Sequence, residues 1–396
     1  MVKTPRSAWA VLIVVYIAGL AGPIARMKAS PVLPAIIGTL GLNYSEAGWV
    51  MSILNLAGFI LAIPAGFFVT RFGEKATGLS ALAFLFLGSI LGAVSQDLPV
   101  LLVSRVIEGC GFILYHIAGG TALARVFPKN KMGLVMGIWS TVITIGYLIS
   151  LNIVPFIDTA AGHAWKIVWW VNAGYALLMF FIFLALFRVP KVIRDEKRQE
   201  ESAISKAIIG EALKNRHLWI IVFVFFTFST LQQSFTQFYP TFLNAEMGFD
   251  MSQASFLVSI QMIVLTAPLF GWISDKIQSR KKILVLGLAA LGILNLFPYG
   301  LTGAGPVVMY LIIRGVFEDS LPAMCFASVP DLAKKVQYTG LVMATLNMGQ
   351  NLGNLVGPPT FGWLIDQTGS WATSGYIMAP LALLAILLLL ILKPLK

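Results

Sequence analysis

Apolar residues run along this chain in long unbroken stretches, without the short alternations of a half-buried strand. Stretches long enough to span a bilayer, about 20 residues each, recur near 9–37, 46–69, 76–95, 99–126, 133–157, 167–187, 218–243, 253–274, 283–301, 307–329, 340–365 and 371–392. The gaps are short and rich in Gly, Pro, Asp and Lys. One gap differs: Arg188 to Arg216 is polar, carries both signs of charge, and has an amphipathic helical pattern at Ala203–Leu213. The pattern predicts an all-α polytopic membrane protein of twelve transmembrane helices. Residues 1–187 form a first six-helix bundle, 188–217 a cytoplasmic linker loop and 218–396 a second bundle.

Composition agrees. Hydrophobic residues make up 58% of the 396 positions and charged residues 11%, against about 25% charged in a soluble domain. A net charge of +11 suggests nucleic acid in a soluble chain, but here the positions of the charges explain it. With an inside N-terminus, Lys and Arg collect on cytoplasmic loops. Of 28 lysines and arginines, the exceptions are Lys166 outside and Arg26, Lys28, Arg105 and Arg314 inside spans. Both termini are then cytoplasmic in the plasma membrane (the inner membrane of a two-membrane cell). Anionic lipid is a favoured contact, and no nucleic-acid partner is expected. Lys3 and Arg6 before an apolar run resemble a secretory signal, but the run continues too far, so it is an uncleaved first span. Cys110 and Cys325 lie in predicted helices and imply no disulfide framework. No metal or other cofactor is expected, and the chain is expected to be a monomer.

The two halves repeat. Gly133-Leu134-Val135-Met136 recurs as Gly340-Leu341-Val342-Met343, at an offset of 207. Gly41 and Gly248, Lys75 and Lys282, and Gly146 and Gly353 share that offset, while Gly66 with Gly271 and Arg105 with Arg314 lie close to it. An even number of spans per half gives the copies one orientation, the parallel repeat about an axis along the membrane normal.

On these features the chain resembles the major facilitator superfamily, over essentially its whole length. The family's loop motif, G-x-x-x-D-R/K-x-G-R-R/K, appears as Gly66-Phe67-Phe68-Val69-Thr70-Arg71-Phe72-Gly73-Glu74-Lys75, with Thr70 in place of the acid. The second copy, Gly271-Trp272-Ile273-Ser274-Asp275-Lys276, keeps the acid, and R-x-x-x-G-x-G is present from Arg105 to Gly111. The resemblance implies a central cavity lined by spans one, four, seven and ten, and alternating access. It implies cytoplasmic latches at Gly66, Arg71, Lys75, Gly271, Asp275 and Lys276. Span five lacks the G-P pair of proton-driven drug antiporters. Span eleven is similar to small-anion branches such as cyanate or nitrite carriers, a likeness too loose to assign a substrate.

The embedded cations carry the chemistry. A charge at the bilayer centre costs at least ~2.5–3.5 kcal/mol unless it faces protein or water. Arg26 and Lys28 lie in Gly22–Pro34, where glycines and prolines interrupt the first span, as hydrocarbon tolerates only beside a protected cavity. Arg26 is expected to bind an anionic group, with Gln233 and Gln237 of span seven as neutral partners. Lys28 points elsewhere on a regular helix. The bland reading for both is snorkelling toward outer headgroups. Arg105 and Glu108, three apart, and Arg314 and Glu318, four apart, can each pair on one helix face; Asp319 lies on another side. Either an arginine meets substrate while an acid carries a proton, or the pairs are structural. Tyr115 continues the span-four stripe, and His116 beside it is expected to hydrogen-bond a neighbouring helix. Asn351 joins Asn347, Gln350 and Asn354 in a polar span eleven, whose Gly349, Gly353 and Gly357 suit close helix packing. Four embedded cations against Glu108, Glu318 and Asp319 leave one positive charge uncompensated.

The expected function is secondary active transport of a small anion by proton-coupled symport. Arg26, Lys28, Arg105, Tyr115, Gln233, Gln237, Arg314 and Asn351 are the expected substrate contacts, and Glu108, Glu318 and Asp319 the proton carriers. The alternative is a proton-coupled drug exporter with Phe226, Phe235 and Phe238 lining an aromatic pocket; a transport-dead receptor is a third possibility. Without HExxH, GxSxG or a P-loop, neither an enzyme nor ATP drive is expected.

Overall fold

The computed structural model describes residues 6–61, 64–128, 131–187, 214–264, 266–333 and 339–391. Among them every regular element is helical. The expected linker at 188–213, with its amphipathic segment, lies outside the described residues, as do Lys3, Lys129, Lys334, Lys335, Lys393 and Lys396.

Eight helical stretches among the described residues are long and apolar enough to cross a membrane: Ala8–Met27, Pro64–Val94, Leu98–Val126, Met132–Ala160, Lys166–Leu186, Arg216–Ala245, Arg280–Gly300 and Trp371–Ile391; the helices Met251–Ile263 and Ala267–Ile277 together supply a ninth. Three of the twelve expected spans fall short of that measure. The stretch 46–69 is divided into Tyr44–Ser52 and Leu54–Leu61, and its remainder enters Pro64–Val94, which Gly73 interrupts at φ 81°. The stretch 307–329 is divided into Ala304–Glu318, Ser320–Ala327 and Val329–Ala333. The stretch 340–365 is one helix, Thr339–Thr368, but Asn347, Gln350, Asn351 and Asn354 dilute its apolar run.

The chain falls into two compact units. The first is Met1–Leu40 with Ile53–Ile204; the second is Gly41–Ser52 with Ser205–Lys396. The first core gathers Leu12, Val15, Leu82, Leu85, Leu114 and Phe183. The second gathers Leu218, Phe225, Leu284, Leu288, Leu321 and Leu346.

Helix Tyr44–Ser52 belongs to the second unit although sequence makes it the start of span two. The Asp366 carboxylate accepts the backbone N–H groups of Tyr44 and Ser45 at 3.0 and 2.9 Å, satisfying donors that a helix N-terminus leaves without partners. A Cβ added at Gly48 would sit 2.6 Å from the Pro358 carbonyl oxygen.

Lipid provides no hydrophobic drive between helices, so close approach at small residues holds them together. A Cβ at Gly349 would lie 2.8 Å from the Val222 carbonyl oxygen, and one at Gly357 2.6 Å from that of Thr230. Gly353 faces the Phe226 carbonyl in the same way. These three glycines form the close-packing surface their four-residue spacing suggests.

Gly41 and Gly248 share left-handed backbone, φ 64° and 72°, which glycine alone adopts without steric penalty. The turn geometry explains why both copies of the repeat carry glycine there. The repeat register needs one correction. Lys75 Nζ donates to the Leu184 carbonyl at 2.8 Å and Lys281 Nζ to the Leu390 carbonyl at 3.0 Å. By contact, then, Lys281 is the counterpart of Lys75, one residue short of the Lys282 that the offset picks out.

Candidate functional site

In the first span, helix Ala21–Met27 gives way to a 3-10 turn, Ser30–Val32, before helix Leu33–Leu40 resumes. The interruption leaves carbonyls at the end of Ala21–Met27 without helical partners. Arg105 fills the gap from span four, its Nη1 donating to the Ala25 carbonyl and its Nη2 to that of Arg26 at 3.0 Å. The backbone that glycines and prolines seemed to open toward a cavity is thus closed by a side chain.

Arg105 Nη1 also donates to Glu108 Oε2 at 2.7 Å. The other oxygen, Oε1, accepts from Lys28 Nζ at 2.6 Å and from Ser89 Oγ at 2.6 Å. Lys28 lies 4.5 Å from the Trp169 ring centroid, and Asn172 Nδ2 donates to Ser89 at 2.8 Å. All three charged side chains are fully buried. Three expectations change here. Lys28 and Arg105 are enclosed with an acid and do not face substrate in this structure. Glu108 accepts three hydrogen bonds, from Arg105, Lys28 and Ser89, and is closed off from any other partner among the described residues. Snorkelling is also excluded for Lys28.

Arg26 has different surroundings. Only 8% exposed, its guanidinium carbon lies 5.7 Å from the Phe112 ring centroid and 5.8 Å from that of Tyr147. Its Nε is buried with no hydrogen-bond partner, and no acid pairs with it among the described residues. Ring faces attract a cation but leave its charge in place. His116 makes no hydrogen bond to a neighbouring helix among the described residues, contrary to expectation. It stacks between Phe112 and Trp139, centroids 6.1 and 5.5 Å away, each at 24°. Tyr115 sits in the apolar core and its hydroxyl donates to the Val15 carbonyl at 3.2 Å, so it is not among the Arg26 contacts.

In the second unit, Arg314 is fully buried with its guanidinium carbon 3.9 Å from the Phe235 centroid. Its Nη1 donates to Asn295 Oδ1 at 3.2 Å and to the Tyr310 hydroxyl at 3.3 Å. Glu318 is only loosely engaged, 3.4 Å from Arg314 Nε. Asp319 forms no ion pair with an embedded cation among the described residues. Gln233 is buried with Nε2 lacking a partner among the described residues; Gln237 Nε2 donates to the Met51 carbonyl at 3.3 Å. Asn351 is half-buried and donates to the Asn347 carbonyl at 2.9 Å. Phe235 stacks on Tyr239 at 4.3 Å and Phe238 packs on Phe361 at 5.7 Å. These two rings of the drug-exporter reading are packed on other rings in the interior.

The expected latch residues make few polar contacts. Arg71 lies over Phe72 and Lys276 over Trp272, at 5.5 and 5.2 Å; Arg71, Asp275 and Lys276 are exposed, and Gly66 and Gly271 pack against nothing within 4 Å. Ion pairs fall beside them, Glu74 with Arg125 at 2.5 Å and Arg280 with Asp331 at 2.8 Å. Glu74 and Arg280 are one repeat apart, as are Arg125 and Asp331, so the pair is kept with its signs exchanged. A search for identical residues passes over it.

An apolar helical chain in two repeated halves, with guanidinium groups inside its spans, is an integral membrane transport protein. The sequence profile of the Major Facilitator Superfamily matches residues 15–265 and 240–396, and the chain belongs to that superfamily. It is 24% identical to the probable sulfoacetate transporter SauU of Cupriavidus necator over 87% of this chain and 84% of that one. It is also 24% identical to a nitrite extrusion protein of Bacillus subtilis, over 93% and 91%, and 25% identical to the probable nitrate transporter NarT of Staphylococcus carnosus, over 90% and 89%. A solved bacterial homolog of the human lysosomal transporter Spinster has the same fold, with a TM-score of 0.78 at 14% identity over 98% and 97% of the two chains.

Proposed function

We propose that this protein is a secondary active transporter that moves a small anion across the cytoplasmic membrane by alternating access, in symport with protons. It acts as a monomer with both termini in the cytoplasm. The observation that carries the reading is Arg26. In the first unit three embedded cations meet one acid, Glu108, and two of them hold it. Arg26 is left with two ring faces and an unpartnered Nε. A charge so placed is favourable when an anion visits it. A guanidinium suits a planar oxyanion or carboxylate, to which it presents parallel N–H donors.

The relatives support the sign of the cargo. Sulfoacetate, nitrite and nitrate, which the names of three of them give, share negative charge and oxygen acceptors but differ in size. They support an anionic class of cargo for this chain and favour no single compound. Of the acids expected to carry protons, Glu318 lies 3.4 Å from Arg314 Nε. Gln233 and Gln237 supply polar groups on span seven.

The test is uptake into proteoliposomes of nitrite, nitrate, sulfoacetate and small carboxylates, with and without an inward pH gradient. Saturable anion uptake stimulated by the gradient is expected. Transport of cations or neutral compounds with indifference to every anion would sink the proposal.

A further inference from the structure

We infer that His116 is the proton-linked residue of the Arg26 site, its imidazole taking up the proton that accompanies the anion. The inference rests on the reading that Arg26 binds the anion. Arg26 and His116 contact the same ring: the guanidinium lies 5.7 Å from the Phe112 centroid and the imidazole 6.1 Å from it. Trp139 backs the imidazole at 5.5 Å. The indole is fixed in turn by glycines, since a Cβ at Gly119 would lie 2.5 Å from it and one at Gly19 3.1 Å. The imidazole therefore has a set position in the stack.

Its nitrogens are left free. Neither has a hydrogen-bond partner among the described residues, and the side chain is only half-buried. The charged group that shares its Phe112 ring is Arg26 of span one. Span one also brings Tyr16, whose hydroxyl is engaged with Thr141 at 2.7 Å, and span five brings Tyr147, which lies against Arg26. On its own helix, Tyr115 is bonded to Val15, while Glu108 and Arg105 are closed in with Lys28 about two and three turns away. Span three carries Glu74, paired with Arg125. No carboxylate among the described residues pairs with His116. Glu318 and Asp319 belong to the second unit.

This arrangement couples the two ligands. Without an anion, a second positive charge near Arg26 is repelled. A bound anion removes the repulsion and attracts the imidazolium, so proton and anion each favour binding of the other by the same factor. The step is a protonation alone. One proton from water adds to a free imidazole nitrogen, no bond of the anion changes, and both leave together on the far side.

The experiment uses the full chain in nanodiscs, with nitrite, nitrate and sulfoacetate as probes of binding between pH 5 and 9. In the wild type the Kd of whichever probes bind is expected to weaken as pH rises, at most about tenfold per pH unit as one linked proton allows, and to level off at alkaline pH. H116Q is expected to bind with a flat pH profile at the affinity the wild type shows at alkaline pH. R26A is expected to bind roughly 10- to 100-fold more weakly at every pH. A wild-type slope surviving in H116Q overturns the inference while leaving Arg26 as the anion site. Probes that fail to bind the wild type, or that bind R26A as well as wild type, overturn the anion reading and this inference together. As a check independent of the His116 variant, the chain with H163Q and H217Q keeps one histidine. Its imidazole NMR signals are expected to move to the protonated position on adding the bound probe at pH 7. Unmoved signals overturn the inference.

Discussion

Arg26 and Lys28 stand two residues apart, yet one is bare of acids and the other is sealed against one. Lys28 is placed by Glu108 and Ser89, Arg26 by two rings. Their variants should differ accordingly. R26A is expected to raise the KM for anion uptake 10- to 100-fold, matching the roughly 1.5–3 kcal/mol of a hydrogen bond to a charged group. R26K keeps the charge but loses the paired donors and falls between. Initial rates in proteoliposomes check both. E108Q strands Lys28 and Arg105 without a counter-charge, and breaking a buried pair this way costs about 3–5 kcal/mol. A markedly lower melting temperature of purified E108Q is expected, with part of the loss recovered in K28M/E108Q. Melting unchanged from wild type would mean that the network does not hold the fold.

At the scale of helices, the crossing of Arg216–Ala245 with Thr339–Thr368 depends on bare backbone at Gly349, Gly353 and Gly357. G353L forces the helices apart and is expected to destabilise by about 1–3 kcal/mol, the usual range for overpacking. Gly340, on the same helix with open space around it, is the control: G340A should melt as wild type does. The sign-exchanged pairs make a second prediction. E74R and R125D each leave like charges together, whereas E74R/R125D recreates the polarity of Arg280 and Asp331. A double-mutant cycle on thermal stability should return a coupling of roughly 0.5–3 kcal/mol; additive effects would rule out an energetic role for the pair.

Across the whole chain, the segment Gly41–Ser52 is lodged in the second unit while residues on both sides of it belong to the first. Asp366 is its tether, accepting two N–H groups at the start of Tyr44–Ser52. Removing a cap of this kind costs about 0.5–2 kcal/mol. With Cys110 and Cys325 replaced by serine, S45C should react faster with a polar maleimide once D366A is added. Equal labelling rates would show that the tether does not control this segment.

The superfamily and its two repeated halves were legible without coordinates. Apolar spans are written residue by residue, because insertion responds to the local apolarity of each span. Gly41 and Gly248 are legible too, since a left-handed turn admits little but glycine. Which cation meets an acid was decided only when spans one, three, four and six came together. Glu108 can meet Lys28 from 80 residues away, a partnership no local pattern records. The exchanged ion pairs were hidden for the same reason: a salt bridge needs two opposite charges in contact, and nothing in that requirement says which helix must carry which sign.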